Sequence, residues 1–421
     1  MNFKKITLLS TLLIGCTLIV VCYILFTQGN LKFVNFETAT KNQSEGPRVL
    51  FVHVTQGSGG AETHSIALYK EALSHGMNAT MLVQKNSFIQ QELKQFQIPH
   101  YETSAASFIK MSKLYKYILT KNIQAIHKKQ PIDIVQCNTE RETYAAKKAQ
   151  LYYPIKVIWV RHNEELPRCM QVLKNLNGII AVSPQIEQLL THANKQYKLD
   201  IDEIRTIYPF FNQERLLSYN PQESRKIFFQ KYFNLSVDNN TVLLCMVANL
   251  YSNIDHKNHP LLLKATAKLI HEKQKNIQVL LVGDGRARSE LEKQCSDLNI
   301  SKYVHFLGFT AHVPAILYHS DIKVLSSRSE GQAIALTEAA FMQKPLIAAT
   351  GTSAVNIVID GKTGYLFRNN NADDLAEKIE ILVDNPLLRI QMGKAAQDLA
   401  FKEFANASKL KKLKKFYQRL K

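Results

Sequence analysis

From Arg48 onward, short runs rich in β-branched residues alternate with segments of helical periodicity, and this alternation constrains the fold more than any other feature. Strands that are each followed by a helix belong to βα units on a parallel sheet. In the first half the strand candidates are Val49–Val54, Ala79–Val83, Ile132–Cys137, Lys156–Val160 and Ile179–Val182. Between the first two, Glu62–Leu73 carries apolar residues at helical spacing and ends at Gly76, a C-cap residue. Residues 210–240, charged and rich in Asn, contain a helix-like SRKIFFQKYFNL and read as a junction. The alternation then restarts with Val242–Val247, Gln278–Val282, Val304–Leu307, Ile322–Leu325 and Leu346–Ala349. Two successive halves of similar size predict an α/β chain with two Rossmann-like domains, 48–212 and 213–395, facing a cleft. With 46% hydrophobic residues and only 16 Gly and 12 Pro in 421, collagenous, low-complexity and largely disordered classes are excluded.

Ahead of the first strand, Ile6–Phe26 is apolar and uncharged. As a helix rising ~1.5 Å per residue it matches the roughly 30 Å hydrocarbon core of a bilayer. A cleaved signal peptide is the rival reading, but the run exceeds a signal h-region and no small-x-small site follows it. Leu13-Ile14-Gly15-Cys16 loosely resembles a lipoprotein box, yet the residues after Cys16 stay apolar. We therefore expect an uncleaved anchor over 1–27 and a polar tether over 28–47. Lys4 and Lys5 before the run and Lys32, Lys41 and Arg48 after it nearly balance the positive-inside count. The expected location is a single-pass membrane protein with its catalytic domain on the cytoplasmic side.

The formal net charge of +18 calls for an anionic partner. Five Lys crowd Lys409–Lys415, and no aromatic-interleaved stripe or zinc knuckle accompanies them, which argues against nucleic acid. Residues 396–421 read as a basic C-terminal helix, with Phe404, Leu410, Leu413 and Phe416/Tyr417 near one face. Two readings stand: an interfacial helix lying on anionic lipid, or a final helix packed on the body with a solvated Lys face. Cys137, Cys169, Cys245 and Cys295 are scattered without a CxxC, so they read as buried small hydrophobes in a reducing compartment.

Several segments carry chemistry. Gln56-Gly57-Ser58-Gly59-Gly60-Ala61-Glu62 follows the first strand and opens the first helix. It is either a structural turn or a loop whose backbone N–H groups approach a phosphate. Leu281-Val282-Gly283-Asp284-Gly285 closes a strand in a tight turn before Ser289–Leu298. Ser326-Ser327-Arg328-Ser329-Glu330-Gly331 precedes Ala335-Leu336-Thr337-Glu338-Ala339, placing two Glu eight positions apart. Such a pair is either two solvated helix residues or two carboxylates on one cleft, where one can accept both hydrogen bonds of a ribose diol.

Taken in order, these segments resemble the retaining glycosyltransferases of the GT-B fold, family 4 of the sequence classifications. The resemblance spans about residues 48–400. It also rests on Ala181-Val182-Ser183, Ala248-Asn249-Leu250 followed by Lys257, Phe306-Leu307-Gly308 and Asp360-Gly361-Lys362-Thr363-Gly364-Tyr365-Leu366. It implies transfer of a hexose or N-acetylhexosamine from a UDP- or GDP-sugar to a glycan or lipid-linked acceptor. Glu338 matches the carboxylate that holds the ribose hydroxyls, Glu330 the one beside the donor hexose, and Lys257 the cation on the diphosphate. The Gly59-Gly60 loop would close over that diphosphate from the N-terminal domain. His162, in Trp159-Val160-Arg161-His162-Asn163, falls where the family often has a His near the donor sugar. Asn249, Gly283, Gly285, Gly331, Gln332 and Ala333 complete the implied donor-binding set. Acceptor recognition falls to loops of the first half, with Arg141, Tyr144 and Arg161 as candidates.

Departures from the family pattern are visible. Ala248-Asn249-Leu250 stands where an Arg commonly neutralises the diphosphate, leaving Arg286, Arg288 or Arg328 as substitutes. Asn356 occupies a position that is often Glu. Gln136 and Asn138 replace frequent His residues, and Pro209-Phe210-Phe211-Asn212 replaces an Asn-Gly-Val-Asp run. No Asp-x-Asp motif suits a Mg²⁺ on a diphosphate, so no metal and no cofactor beyond the donor are expected. No carboxylate is placed as a covalent nucleophile, and the favoured route is front-face attack assisted by the leaving phosphate. The rival classes are a degenerate, non-catalytic nucleotide-sugar binder of the same fold and a nucleotide-sugar epimerase.

Overall fold

The computed structural model describes residues 31–35, 46–108, 112–167, 169–250 and 254–420. The expected span Ile6–Phe26 lies outside the described residues, among which no helix is long and apolar enough to cross a membrane. The chain divides into two compact units, Met1–Val160 with Leu176–Gly178, and Arg161–Asn175 with Ile179–Lys421. The 212/213 boundary read from the sequence falls inside the second unit.

In the first unit the strands are β1 (Leu31–Val34), β2 (Val49–His53), β3 (Ala79–Gln84), β4 (His100–Thr103), β5 (Ile134–Cys137) and β6 (Lys156–Arg161). They lie in the order β1-β4-β3-β2-β5-β6. The ladders β2–β3, β2–β5, β3–β4 and β5–β6 are parallel, and β1 runs antiparallel to β4. Every residue of β2 is buried, as expected for a strand covered on both faces. Two strands escape the hydrophobic pattern. Part of the expected tether, Leu31–Val34, is β1, paired from Leu31↔Thr103 to Val34↔His100. β4 is the polar HYET, whose buried Glu102 accepts from Gln90 Nε2 (2.6 Å) and pairs with Lys94 (3.0 Å).

The second unit opens with neighbouring strands β7 (Gly178–Ala181) and β8 (Glu203–Thr206). Its larger sheet holds β9 (Val242–Val247), β10 (Ile277–Val282), β11 (Val304–Gly308), β12 (Ile322–Leu325), β13 (Leu346–Ala349) and β14 (Gly364–Phe367). All its ladders are parallel, in the order β11-β10-β9-β12-β13-β14. Leu243, Leu244, Val279, Leu280, Val324 and Ile347 are fully buried and form its core. Each β-branched run is too apolar to face water on either side, so helices before and after must cover it.

The tail is two helices, Pro386–Phe404 and Asn406–Arg419, with Ala405 extended between them. Leu410, Leu413, Phe416 and Tyr417 are buried. Lys409 is buried too: its Nζ donates to the Pro209 carbonyl (2.6 Å) and lies 4.5 Å from the Phe211 ring centre. The apolar face that an interfacial helix would put into lipid is therefore used inside the unit, and the packed-helix reading holds. One cysteine also departs from expectation: Cys169 is exposed, whereas Cys137, Cys245 and Cys295 are buried.

Candidate active site

In the second unit β10 and β11 lie on one side of β9, while β13 and β14 lie beyond β12 on the other. Loops leaving the carboxyl ends of β9 and β12 therefore diverge, and open α/β sheets bind ligands at such a switch point. The β9 loop leads to the short helix Ile254–Lys257, and the β12 loop is Ser326–Ala333. Ser326 ties them together, its Oγ donating to the carbonyls of Asn258 (2.9 Å) and Lys257 (3.1 Å). Lys257 Nζ thereby comes within 2.7 Å of Glu330 Oε1, an ion pair whose carboxylate is mostly shielded from solvent.

Glu338 sits in the helix Ile334–Phe341 that follows. Burial pushes its carboxyl up to about 7, against the opposing pull of Lys323 and Arg215. Lys323 is the unexpected member. It points from β12 in register with Cys245 of β9, is 0% exposed, and its Nζ has no hydrogen-bond partner among the described residues. Burial lowers its pKa, while Glu338 and Glu330 oppose that shift and Lys257 reinforces it. His259, at the start of the helix His259–His271, is also buried, with Nδ1 unpartnered among the described residues. Burial, then Lys257 and Lys323, brings it down to about 4, so it is a neutral imidazole near neutrality.

The Ser326–Ala333 loop is shaped by close approaches. A Cβ on Gly331 would lie 1.7 Å from the His162 carbonyl oxygen, so only glycine fits against that strand end. Of His162, this contact uses the backbone. Nearby, Glu164 Oε2 accepts from Ser329 Oγ (3.1 Å), and burial followed by the charge of Glu330 raises its pKa. Ser327 Oγ and both side-chain polar atoms of Gln332 are buried without hydrogen-bond partners among the described residues. Ala333 precedes the Glu338 helix and accepts from Thr337 Oγ1 (3.5 Å). On the β10 side, a Cβ on Gly283 (φ +132°) would meet the Ala248 carbonyl at 2.1 Å, which locks the Asn249 loop against the Gly283–Gly285 turn. Gly285 donates its N–H to Asp284 Oδ1 (2.8 Å).

The glycine loop belongs to the first unit. Gly59 caps the helix Gly60–Ser74 and donates its N–H to Glu62 Oε2 (2.9 Å). Glu62 Oε1 accepts from Thr55 Oγ1 (2.9 Å) and faces His53 Nε2 (3.5 Å), and His53 Nδ1 meets Ser65 Oγ at 2.6 Å. Burial works against the Glu62 charge, but His53, Thr55 and Gly59 outweigh it and hold the carboxyl at about 2. Gly60 is the first residue of that helix.

Residues 230–399 match the family described as Glycosyl transferases group 1. This stretch is a group 1 glycosyltransferase domain. It is 29% identical over 154 residues to a poly(ribitol-phosphate) alpha-N-acetylglucosaminyltransferase of Staphylococcus aureus, covering 36% of this chain and 31% of that protein. A second relative is the Campylobacter jejuni N,N'-diacetylbacillosaminyl-diphospho-undecaprenol alpha-1,3-N-acetylgalactosaminyltransferase, 29% identical over 43% of this chain and 45% of its own. The chain spans about a third to a half of the length of the curated relatives it matches. In fold it is similar to Anabaena HepE solved with UDP, at TM-score 0.73 and 20% identity, over 89% of this chain and 100% of that one.

The departures from the family pattern have structural partners. Asn356 exchanges amide hydrogen bonds with Gln185, at 2.9 and 3.3 Å. Of the substitute cations, Arg288 is engaged by Glu292 (2.8 Å) and Asp284 (3.6 Å), and Arg328 bonds Asn370 (3.1 Å). Arg286 is exposed. Lys257, Glu330, Gly331 and the His162 backbone come together at the switch point, and Glu338 is linked to them electrostatically through Lys323. Sequence reasoning missed Lys323, Glu164 and the His53–Glu62 pair. Lys323 breaks a hydrophobic strand, IKVL, and that interruption was the available signal.

Proposed function

We propose that this chain is a membrane-anchored, retaining, metal-independent glycosyltransferase. It moves a hexosyl or N-acetylhexosaminyl group from a UDP- or GDP-sugar to a glycan or lipid-linked acceptor. The observation that carries the reading is the Lys257–Glu330 pair at the β9/β12 switch point, 2.7 Å apart and set against Gly331. A departing nucleoside diphosphate gains negative charge, and a fixed cation at this spot stabilises it where the site excludes water. Lys257 is that cation. Once it turns to the phosphate, Glu330 is released to accept from donor-sugar hydroxyls. Glu338 accepts the ribose diol, and the Gln332 amide and Ser327 hydroxyl, unpartnered among the described residues, offer hydrogen bonds to the sugar. His162 and the Asn249 and Gly283–Gly285 backbone complete the donor side. The Gly59–Gly60 loop, fixed by Glu62, is the phosphate-contacting candidate of the first unit. The relatives are named for N-acetylhexosamine transfer to a poly(ribitol-phosphate) and to an undecaprenyl diphosphate glycan, which supports an anionic or lipid-linked acceptor. The run Ile6–Phe26 supports the anchor, with the catalytic body on the cytoplasmic side.

A non-catalytic nucleotide-sugar binder is favoured by two observations, Asn249 in the usual Arg position and Asn356 bonded to Gln185. One experiment separates the readings. The protein is incubated with a panel of UDP- and GDP-sugars, with and without lipid-linked acceptors, and free nucleoside diphosphate is measured. Release that grows with acceptor supports transfer. Binding without release supports the degenerate reading, and interconverted donor supports epimerisation.

A further inference from the structure

Beside Glu330 stands a second acid, Glu164. It lies in Arg161–Asn175, a segment that belongs to the second unit. Arg161 folds this segment back by donating from Nη2 to the Glu165 carbonyl. The Gly331 backbone closes on the His162 carbonyl, so tightly that a Cβ there would come within 1.7 Å of its oxygen. Glu164, two residues further on, is thereby held against Ser329 and accepts from its Oγ (3.1 Å). The residue after Ser329 is Glu330, so two carboxyls are brought together at the switch point. A clip between two loops needs no second acid here, since a serine and an amide would join them without crowding like charges. Burial works against the Glu164 charge, and so does Glu330, while Ser329 and the Ser353 backbone favour it. Groups held against such a cost concentrate at functional sites. The polar atoms around them are open as well. Ser327 Oγ, Ser353 Oγ and both side-chain polar atoms of Gln332 are buried and without hydrogen-bond partners among the described residues. A ligand suited to this wall donates hydrogen bonds to carboxyl oxygens, accepts from hydroxyl and amide groups, and carries no negative charge.

We propose that Glu164 determines donor-sugar specificity: with Glu330 it forms a two-carboxyl wall that accepts from hydroxyls of a neutral hexose or N-acetylhexosamine and excludes a hexuronic acid. The inference rests on the transferase reading and narrows its donor to uncharged sugars. Lys257 does not offset the wall in the loaded site, because there it is turned to the diphosphate. A sugar hydroxyl has a proton to give to a carboxylate oxygen. A uronate instead brings a third carboxylate to a place shielded from water, where like charges facing one another exclude the wrong partner.

The test is equilibrium binding to the full chain in detergent, by calorimetry and without acceptor. The probes are UDP, UDP-glucose, UDP-galactose, their N-acetylamino counterparts, UDP-glucuronate and UDP-galacturonate. GDP, GDP-mannose and GDP-mannuronate form a parallel series. The parent protein should bind at least one neutral nucleotide sugar more tightly than the free nucleotide, and the matching uronate less tightly. Glu164→Gln keeps an acceptor for Ser329 Oγ and removes the charge. It should weaken the neutral donor roughly fivefold, the difference between a charged and a neutral acceptor. It should strengthen the uronate by a similar factor and leave the free nucleotide unchanged. Opposite shifts on two ligands cannot come from a loosened fold. Ser329→Ala, which removes the clip and leaves the carboxyl, should not strengthen the uronate; a gain there would make Glu164 a loop clip and overturn the proposal. Unchanged ratios in Glu164→Gln, or a parent that takes uronates as readily as neutral donors, also overturn it, while nucleotide binding keeps the transferase reading. If no nucleotide or nucleotide sugar binds in either series, the transferase reading falls, and this inference with it.

Discussion

At the residue scale the second unit's site is governed by carboxylates and amines kept from water. Glu338, half-buried, is one case. Its carboxyl is raised to about 7 by burial, so the folded state gains stability from it below the unfolded value of 4.5. That contribution is lost as pH rises through about 7. Nucleotide binding should run the other way, because a ribose diol donates to the carboxylate form. Calorimetric affinity for UDP or GDP should therefore increase as pH rises through this range, and Glu338→Ala should abolish the dependence. The same substitution should cost about tenfold or more in affinity, the worth of charge-assisted hydrogen bonds of ~1.5–3 kcal/mol. Unchanged binding in a folded variant would take Glu338 out of the site. Lys323 supplies a second test. It opposes the rise of the Glu338 pKa from within the core, where an ammonium without an acceptor is costly. Lys323→Met keeps its volume and removes the charge. Thermal stability should hold or increase, and the midpoint of the pH-dependent affinity should move upward; an unmoved midpoint would mean that Lys323 is already neutral.

At the scale of elements, the tail shows how one amphipathic pattern serves two environments. The spacing of Leu410, Leu413, Phe416 and Tyr417 makes an apolar stripe whichever solvent receives it, lipid or protein core. The buried Lys409 decides the matter, because its ammonium bonds a carbonyl from Pro209 and lies over Phe211. Leu413→Ala should then lower unfolding free energy by about 3 kcal/mol, the range for truncating a buried leucine, in urea denaturation. Lys412→Gln on the exposed side should leave it within about 0.5 kcal/mol. Equal, negligible effects of the two would contradict the packed helix.

At the scale of the whole molecule, the chemistry rests on where charge is placed. The proposed stabilisers of the leaving diphosphate are Lys257 and backbone N–H groups. Activity should accordingly persist in excess EDTA, measured as acceptor-dependent nucleoside diphosphate release. Complete loss restored by Mg²⁺ would mean that a metal shares the diphosphate. The anchor belongs to this scale as well. Alkaline carbonate extraction of membranes expressing the full chain should leave it in the pellet, because an apolar helix over Ile6–Phe26 resists conditions that strip peripheral proteins.

The βα alternation, the strands Val242–Val247, Ile322–Leu325 and Leu346–Ala349, and the order of the family's motifs are properties of local pattern and could be read directly from the chain. Periodicity reports which residues avoid water, and parallel strands avoid it along their whole length. The polar strand β4 and the short β1 could not be read this way, because their stability comes from side-chain partners and an edge supplied by distant segments. Glu330 and Lys257 were legible one by one as motif positions. Their 2.7 Å approach was not, since 73 residues separate them and the strand order β9-β12 alone brings them together. Glu62 in a helix start gave no functional signal, and Lys323 gave only the interruption of an apolar strand, because burial is a property of the packed molecule. Burial and neighbours set their protonation: the core presses on the Lys323 amine, while His53, Thr55 and Gly59 fix the Glu62 carboxylate.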